Sequence, residues 1–174
     1  YEEAARMPFV IRYPGHIPAG KRVKDLILNV DFASTLSDFA GVEAPEGTQG
    51  RSFKPILTGD TPKDWRKSIY YRYWTQHKIR PAHIGVRNDR YKLIFLYGDK
   101  LNMTGSEDYV SEPSWEFYDL QKDPKENHNA YGEKEYESVI REMKKEMMRL
   151  RKEVGDTDAG SARMAAILER EGLK

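Results

Sequence analysis

Cysteine is absent from the 174-residue sequence, which excludes disulfides, thiolate zinc sites and a cysteine nucleophile. Long hydrophobic runs are also missing: apolar stretches such as 93–97 are far too short to cross a bilayer, so we expect no membrane span. Neither sign of charge predominates, because the net charge is +1, and we therefore expect no binding to nucleic acid. The 39% hydrophobic and 11% aromatic content instead predicts an ordinary folded protein with a core.

Local catalytic motifs are equally scarce. The sequence has no glycine-rich phosphate loop, no Gly-x-Ser-x-Gly turn and no pair of histidines at metal-ligand spacing. The four histidines are scattered along the chain, at His16, His77, His83 and His128. The sequence therefore predicts no self-contained metal site in this chain.

The beginning of the chain reads as the interior of a larger protein. Tyr1 starts neither a charged nor an apolar leader segment, and the apolar run 7–13 predicts a buried strand that ends at Pro14. A strand of this kind needs neighbours, and we expect most of its sheet to lie upstream of Tyr1.

A helix is predicted next, with Asp31 as its N-cap and Gly41 as a left-handed stop. Its buried face is predicted, from helical spacing, to consist of Phe32, Leu36, Phe39 and Ala40. A short helical turn is expected at 52–57.

The second half of the chain predicts a small sheet and a long helix. Strands rich in aromatic and branched residues are predicted at 68–75, 83–87, 91–97 and 115–118. Between about 133 and 154, apolar residues alternate at spacings of four and three and predict a helix that lies across one face of the sheet. That stripe consists of Tyr136, Ile140, Met143, Met147, Leu150 and Val154. An inter-chain coiled coil is the alternative for this helix, and a short helix is considered at 162–170 without a predicted docking site.

Positive charge is concentrated between residues 66 and 92, where the only acidic residue is Asp89. The cations are Arg66, Lys67, Arg72, Lys78, Arg80, Arg87, Arg90 and Lys92. Two interpretations remain open: a surface that attracts an anionic sugar, or a solvated face balanced by acidic residues elsewhere in the fold.

Five segments, in this order, resemble the C-terminal part of the bacterial sulfatases, which are members of the alkaline-phosphatase superfamily. They are YEEAARMPFVIRYPG at 1–15, NVDFASTLSDFAG at 29–41, GRSF at 50–53, HIGVRNDRYKLI at 83–94 and FYDLQKDPKE at 117–126. The resemblance implies an α+β fold: a small antiparallel sheet of about four strands packed against a long C-terminal helix, preceded by a strand-helix remnant of the α/β domain. The implied domains are 1–60 (end of the α/β domain), 61–155 (C-terminal subdomain) and 156–174 (unassigned tail).

The resemblance also implies a chemistry in which a formylglycine attacks the sulfur of a sulfate monoester while a calcium ion polarises it. The formylglycine arises within a Cys/Ser-x-Pro-x-Arg motif, which this sequence lacks. We therefore expect both groups in an N-terminal sulfatase domain that acts as the partner of this chain, no catalytic or metal-binding residue within it, and an inactive isolated chain. The implied location is periplasmic or secreted.

What the chain is expected to supply is recognition of a sulfated carbohydrate or aryl sulfate. The resemblance makes His83 the first candidate for substrate binding, followed by Trp74, Gln76, His77 and Arg80 on the loop that leads to it. A structural histidine at the start of a strand is the equal alternative for His83. For the whole protein, the alternatives to a sulfatase are a phosphonate or phosphate monoester hydrolase of the same superfamily, or a free-standing module that binds anionic sugars.

Overall fold

The computed structural model of the protein describes residues 1–157 and 161–173. These residues form two compact units: residues 6–67, and a sheet unit made of residues 1–5 and the described residues from Ser68 onward. The helices, in chain order, are α1 (Glu2–Ala5), α2 (Asp31–Ala40), α3 (Lys54–Thr58), α4 (Glu137–Glu153) and α5 (Ala162–Arg170). The domain boundaries at 60 and 155 stay a prediction.

Helix α2 of the 6–67 unit is confirmed, and Gly41 ends it in the left-handed conformation (φ +71°). Asp31, however, is not its N-cap. It is the fully buried first residue of the helix, and its carboxylate accepts hydrogen bonds from the backbone N–H of Leu28 (2.7 Å) and Arg51 (2.9 Å). The guanidinium of Arg66 forms an ion pair with the same carboxylate, so Asp31 joins three segments instead of capping one helix.

The buried face of α2 also differs from the predicted apolar one. Leu36 is 62% exposed, whereas Ser34 and Thr35 are buried. The Thr35 hydroxyl accepts a hydrogen bond from the Phe53 N–H (3.0 Å), and the Ser34 hydroxyl donates one to the Gly50 carbonyl (2.7 Å). The neighbouring loop is thus held through its backbone polar groups, and burying those groups requires hydrogen-bonding partners.

The strand predicted at 7–13 is absent from the described structure. Met7 is 78% exposed and Val10 is 91% exposed. A strand requires hydrogen bonds to a neighbour, and within residues 1–157 and 161–173 no segment pairs with this one. Phe9 nevertheless stacks on Phe32, with ring centroids 4.8 Å apart.

The four predicted strands are confirmed. They are β1 (Ser68–Tyr73), β2 (His83–Asn88), β3 (Tyr91–Leu96) and β4 (Ser114–Asp119), and they form an antiparallel sheet in the order β1-β2-β3-β4. The Asn88 side chain accepts hydrogen bonds from the N–H groups of Arg90 (2.9 Å) and Tyr91 (2.7 Å) and so closes the β2–β3 turn.

The long helix α4, preceded by a 3₁₀ turn at Lys134–Tyr136, packs on one face of this sheet, as predicted. Residues of alternate strand positions and of the helical stripe share one core: Ile84, Val86, Leu93, Phe95, Phe117, Ile140, Met143 and Met147. At the end of α4, Arg151 is buried instead of Val154, and its guanidinium lies 3.6 Å from the Asp156 carboxylate. Gly155 closes the helix with φ +73°.

Helix α5, considered for 162–170, is present at those residues. Ser161 caps it, because its hydroxyl accepts a hydrogen bond from the Met164 N–H (3.2 Å). Met164, Leu168 and Leu173 enter the core between sheet and α4. Residues 161–173 are therefore an integral part of the sheet unit.

Candidate functional site

His83 occupies the first position of β2, opposite Tyr73 of β1 and Leu96 of β3. Its Nδ1 lies 2.8 Å from the Pro81 carbonyl oxygen. A carbonyl oxygen can only accept a hydrogen bond, so Nδ1 carries the proton and Nε2 of the neutral ring is left as an acceptor. The backbone of the preceding loop thus fixes which nitrogen His83 presents.

Aromatic rings surround His83. Tyr73 stacks on it with centroids 5.5 Å apart, and Tyr71 meets it edge-on at 6.0 Å. A Cβ atom at Gly85 would lie 2.4 Å from Cζ of Tyr71, so Gly85 is required for the Tyr71 ring to cross the sheet. Burial by these neighbours lowers the pKa of His83, because a charged imidazolium loses hydration there. The site therefore presents a neutral histidine at neutral pH.

Trp74 does not join this group. Its ring receives the Arg72 guanidinium at 3.6 Å, and both residues line a cleft with Tyr97. Side chains two positions apart on a strand share a face, so Arg72 and Trp74 lie on the opposite side of β1 from Tyr71 and Tyr73. The prediction grouped Trp74 with His83 because the two are close in sequence.

Gln76, His77 and Arg80 shape a short hairpin before β2. Gln76 is fully buried, and its side-chain Oε1 accepts a hydrogen bond from the Ala82 N–H (2.8 Å). The backbone N–H of Gln76 donates a hydrogen bond to the Ser106 hydroxyl (2.9 Å). His77 and Arg80 exchange backbone hydrogen bonds, and His77 Nδ1 lies 3.4 Å from a Glu107 carboxylate oxygen. Arg80 is exposed and makes no ion pair with the residues that the structure describes.

The cationic stretch is mostly neutralised. Each of five cations pairs with a carboxylate: Arg66 with Asp31, Arg72 with Asp156, Arg87 with Glu2, Arg90 with Asp119, and Lys92 with Glu2 and Glu126. The acidic partners lie far away in sequence, which supports the balanced-face interpretation for these five residues. Lys67, Lys78 and Arg80 make no ion pair within the described part of the chain.

The ion pairs of Glu2 belong to a buried network on the face of the sheet that also carries His83. The Lys92 ammonium, 1% exposed, lies 2.7 Å from oxygens of both Glu2 and Glu126, and Arg87 donates to Glu2 at 3.0 Å and 3.2 Å. Burial alone raises the pKa of Glu2, but the hydrogen bonds and charges of Arg87 and Lys92 outweigh it and lower that pKa to about 2. Sequence reasoning missed this network; the one available hint was a lysine at an alternating position inside a strand.

Among residues 1–157 and 161–173, no group of three or more His, Cys, Asp or Glu side chains is arranged to hold a metal ion. None of the helices that the structure describes is long and apolar enough to cross a membrane.

Comparison with known proteins defines the class of this chain. Residues 1–153 match the family described as N-sulphoglucosamine sulphohydrolase, C-terminal. Because the match covers most of the sequence and includes the whole sheet with α4, the chain belongs to this family of sulfatase C-terminal regions.

Individual relatives agree with this assignment. The chain is 41% identical, over 91% of its length, to an N-acetylglucosamine-6-O-sulfatase of Bacteroides thetaiotaomicron and covers 27% of that protein. A solved structure of a protein in complex with its substrate, D-glucosamine-2-N,6-O-disulfate, is 37% identical with a TM-score of 0.72, over 88% of this chain and 30% of that one. A phosphonate monoester hydrolase of Silicibacter pomeroyi (22% identity, TM-score 0.63, 82% and 28% coverage) shares the fold alone. The chain thus spans less than a third of the length of these relatives.

Proposed function

We propose that this chain is the C-terminal portion of a hydrolase that releases sulfate from a sulfated sugar of the glucosamine type. The observation that carries the proposal is the 41% identity, over 91% of the chain, to an N-acetylglucosamine-6-O-sulfatase. The 37% identical structure that holds a disulfated glucosamine supports the same class of substrate. Because the chain spans 27% of the first relative and 30% of the second, the activity is proposed for the whole protein.

The nucleophile and the metal are assigned to the preceding part of that protein, the N-terminal sulfatase domain. Formylglycine would supply the attacking group and calcium would polarise the sulfate, but the described residues offer no cluster for an ion, and the sequence has no Cys/Ser-x-Pro-x-Arg motif. No residue of this chain is therefore assigned to a chemical step of the reaction. Its contribution is to recognise the substrate, and its proposed location, with the parent enzyme, is periplasmic or secreted.

His83 is the proposed recognition residue. Its Nδ1 is engaged by Pro81 and its ring is held between tyrosines, so Nε2 is positioned to accept a hydrogen bond from a sugar hydroxyl or amide. His77 and Arg80, at the adjacent hairpin, are proposed as weaker polar contacts. Gln76 is assigned a positioning function, because its buried side chain ties the hairpin to Ala82.

The test is sulfate release by the full-length protein from N-acetylglucosamine 6-sulfate, compared with a phosphonate monoester and with N-acetylglucosamine 6-phosphate. Preferential release of sulfate is expected. Faster hydrolysis of either phosphorus ester would favour the superfamily alternative, and binding of the sulfated sugar without hydrolysis of any ester would favour the free-standing sugar-binding module. Residues 1–174 alone are expected to release no sulfate from the same substrate.

A further inference from the structure

A cleft of about 340 Å³ lies in the sheet unit, between the end of β1, the loop after β3 and the start of α5. Its walls include Arg72, Trp74, Tyr97, Lys100, Asn102 and Met164. The volume falls within the range of pockets that hold small ligands, at its lower end. The cleft is therefore large enough for about one sugar unit.

Trp74 gives this cleft an aromatic wall that is held in place. The Arg72 guanidinium covers its ring at 3.6 Å, and Arg72 is in turn paired with Asp156. Trp74 nevertheless remains 48% exposed. An aromatic side chain that is fixed and half exposed costs little entropy on binding and offers an apolar surface to the C–H groups of a sugar ring.

The charged side chains in the lining are both cations, and each is paired with a carboxylate that lies outside the lining. Arg72 and Lys100 line the cleft, and no Asp or Glu is among the described residues that do so. Arg72 has a side chain only 8% exposed, and its Nε is buried without a hydrogen-bonding partner in the described structure. This Nε is closed off from solvent, so the groups that a ligand in the cleft can reach are the exposed ring of Trp74 and the Lys100 ammonium.

Lys100 forms a weak ion pair with an exposed carboxylate. Its ammonium lies 2.6 Å from the carboxylate of Asp108, whose side chain is 92% exposed. A pair this open to solvent contributes little free energy. An anionic ligand in the cleft can therefore displace Asp108 at small cost.

From these observations we propose that the cleft binds an anionic sugar unit, with Trp74 as its stacking surface and Lys100 as the group that contacts its sulfate or carboxylate. The choice of a sulfated sugar as the probe rests on the proposed function. The site itself rests on the half-exposed aromatic wall and on Lys100, whose carboxylate partner is almost fully exposed.

The test uses the full-length protein labelled with 5-fluorotryptophan, with the Trp74 resonance assigned by its loss in Trp74→Phe. Titration with D-glucosamine 6-sulfate is expected to shift this resonance in a saturable way across the millimolar range. Lys100→Gln should weaken the binding about tenfold, because a charge-assisted hydrogen bond is lost. Asp108→Asn should strengthen it about threefold, because Lys100 is released from its competitor. Lys145→Gln, a matched loss of charge on α4, should leave it unchanged.

Four results would overturn the proposal: no saturable shift, equal affinity for neutral N-acetylglucosamine, the same shift with inorganic sulfate alone, or no effect of Lys100→Gln. Sulfate release is measured on the same samples. Loss of release with an intact Trp74 shift would reject the proposed function alone, and release without the shift would reject this cleft alone.

Discussion

The two faces of the sheet are built on different principles. The face under α4 and α5 is filled mainly by apolar side chains such as Val86, Phe95 and Met147, all fully buried, and carries the Arg72–Asp156 ion pair on its edge strand β1. The opposite face holds His83, Tyr71 and the Glu2–Lys92 network, in which charges are buried together with their partners. Burial of apolar area is non-directional, whereas a buried charge is tolerated only beside a specific partner. One face therefore accepts many sequences of similar volume, and the other accepts few.

The two faces should therefore differ in how much folding stability a mutation removes. The apolar face should lose stability in proportion to the volume removed. On the charged face, stability should depend on individual charged groups and on pH.

The largest effect is expected for Lys92→Met. The ammonium lies 2.7 Å from Glu2 and from Glu126, whose side chain is fully buried. Its removal leaves the Glu126 carboxylate buried without a cation, whereas Glu2 keeps its ion pair with Arg87. We expect a loss of about 4 kcal/mol in the free energy of unfolding, measured with urea. Lys145→Met, at an exposed position of α4, should stay within about 0.5 kcal/mol. A comparable loss in both variants would remove the distinction between the faces.

Met147→Ala tests the apolar face. Met147 is fully buried under the sheet, and truncation leaves a cavity, so we expect a loss of about 3 kcal/mol in the same unfolding measurement. The adjacent Met148 is only partly buried, and Met148→Ala should cost clearly less. Equal losses would mean that α4 does not dock through its predicted stripe.

The pH dependence of stability isolates the charged face. Glu2 has a pKa of about 2 in the folded protein against an ordinary 4.5, so its stabilisation is present above about pH 4.5 and is lost as the pH falls towards 2. After allowance for solvent screening we expect this loss to be about 1–2 kcal/mol. Glu2→Gln should flatten the unfolding free energy in this window, whereas Glu3→Gln, at an exposed neighbour, should leave the slope in place.

The smallest effect concerns recognition by His83. In the full-length protein, His83→Asn keeps a donor near the Pro81 carbonyl but removes the acceptor at the Nε2 position, and should lower kcat/KM for N-acetylglucosamine 6-sulfate about tenfold. His83→Gln, whose amide reaches the Nε2 position, should recover part of this loss. Thermal stability should change little in either variant. Equal kcat/KM in wild type and His83→Asn would make His83 a structural residue.

Sequence patterns predicted the sheet unit well where periodicity reports burial. Strand alternation located all four strands, and the spacing of Ile140, Met143 and Met147 located α4 and its buried face. The same reasoning failed for α2, since Ser34 and Thr35 are buried through hydrogen bonds to a loop. The periodicity of apolar residues predicts which apolar side chains are buried, but it does not predict the burial of polar side chains.

The candidate site was predictable only in part. His83 was identified by resemblance, and its position at the start of β2 follows from the strand pattern. That Trp74 faces the opposite side of β1, and that Gln76 is buried, depends on strand parity and on loop contacts with Ser106 and Ala82. Closeness in sequence was a poor guide to closeness on the surface.

The sequence by itself determined the class of this protein and the secondary structure of its sheet unit, because turn residues, apolar periodicity and local motifs act over a few residues. The tertiary structure alone decided which charges remain available. Arg87 meets Glu2 across 85 positions of sequence and Lys92 meets Glu126, so a stretch that reads as a basic surface is largely neutral. Lys100 lies outside that stretch, and its partner Asp108 is 92% exposed, so its charge stays available to a ligand. Coulomb interactions depend on distance in space and on burial, and neither quantity can be read along a chain.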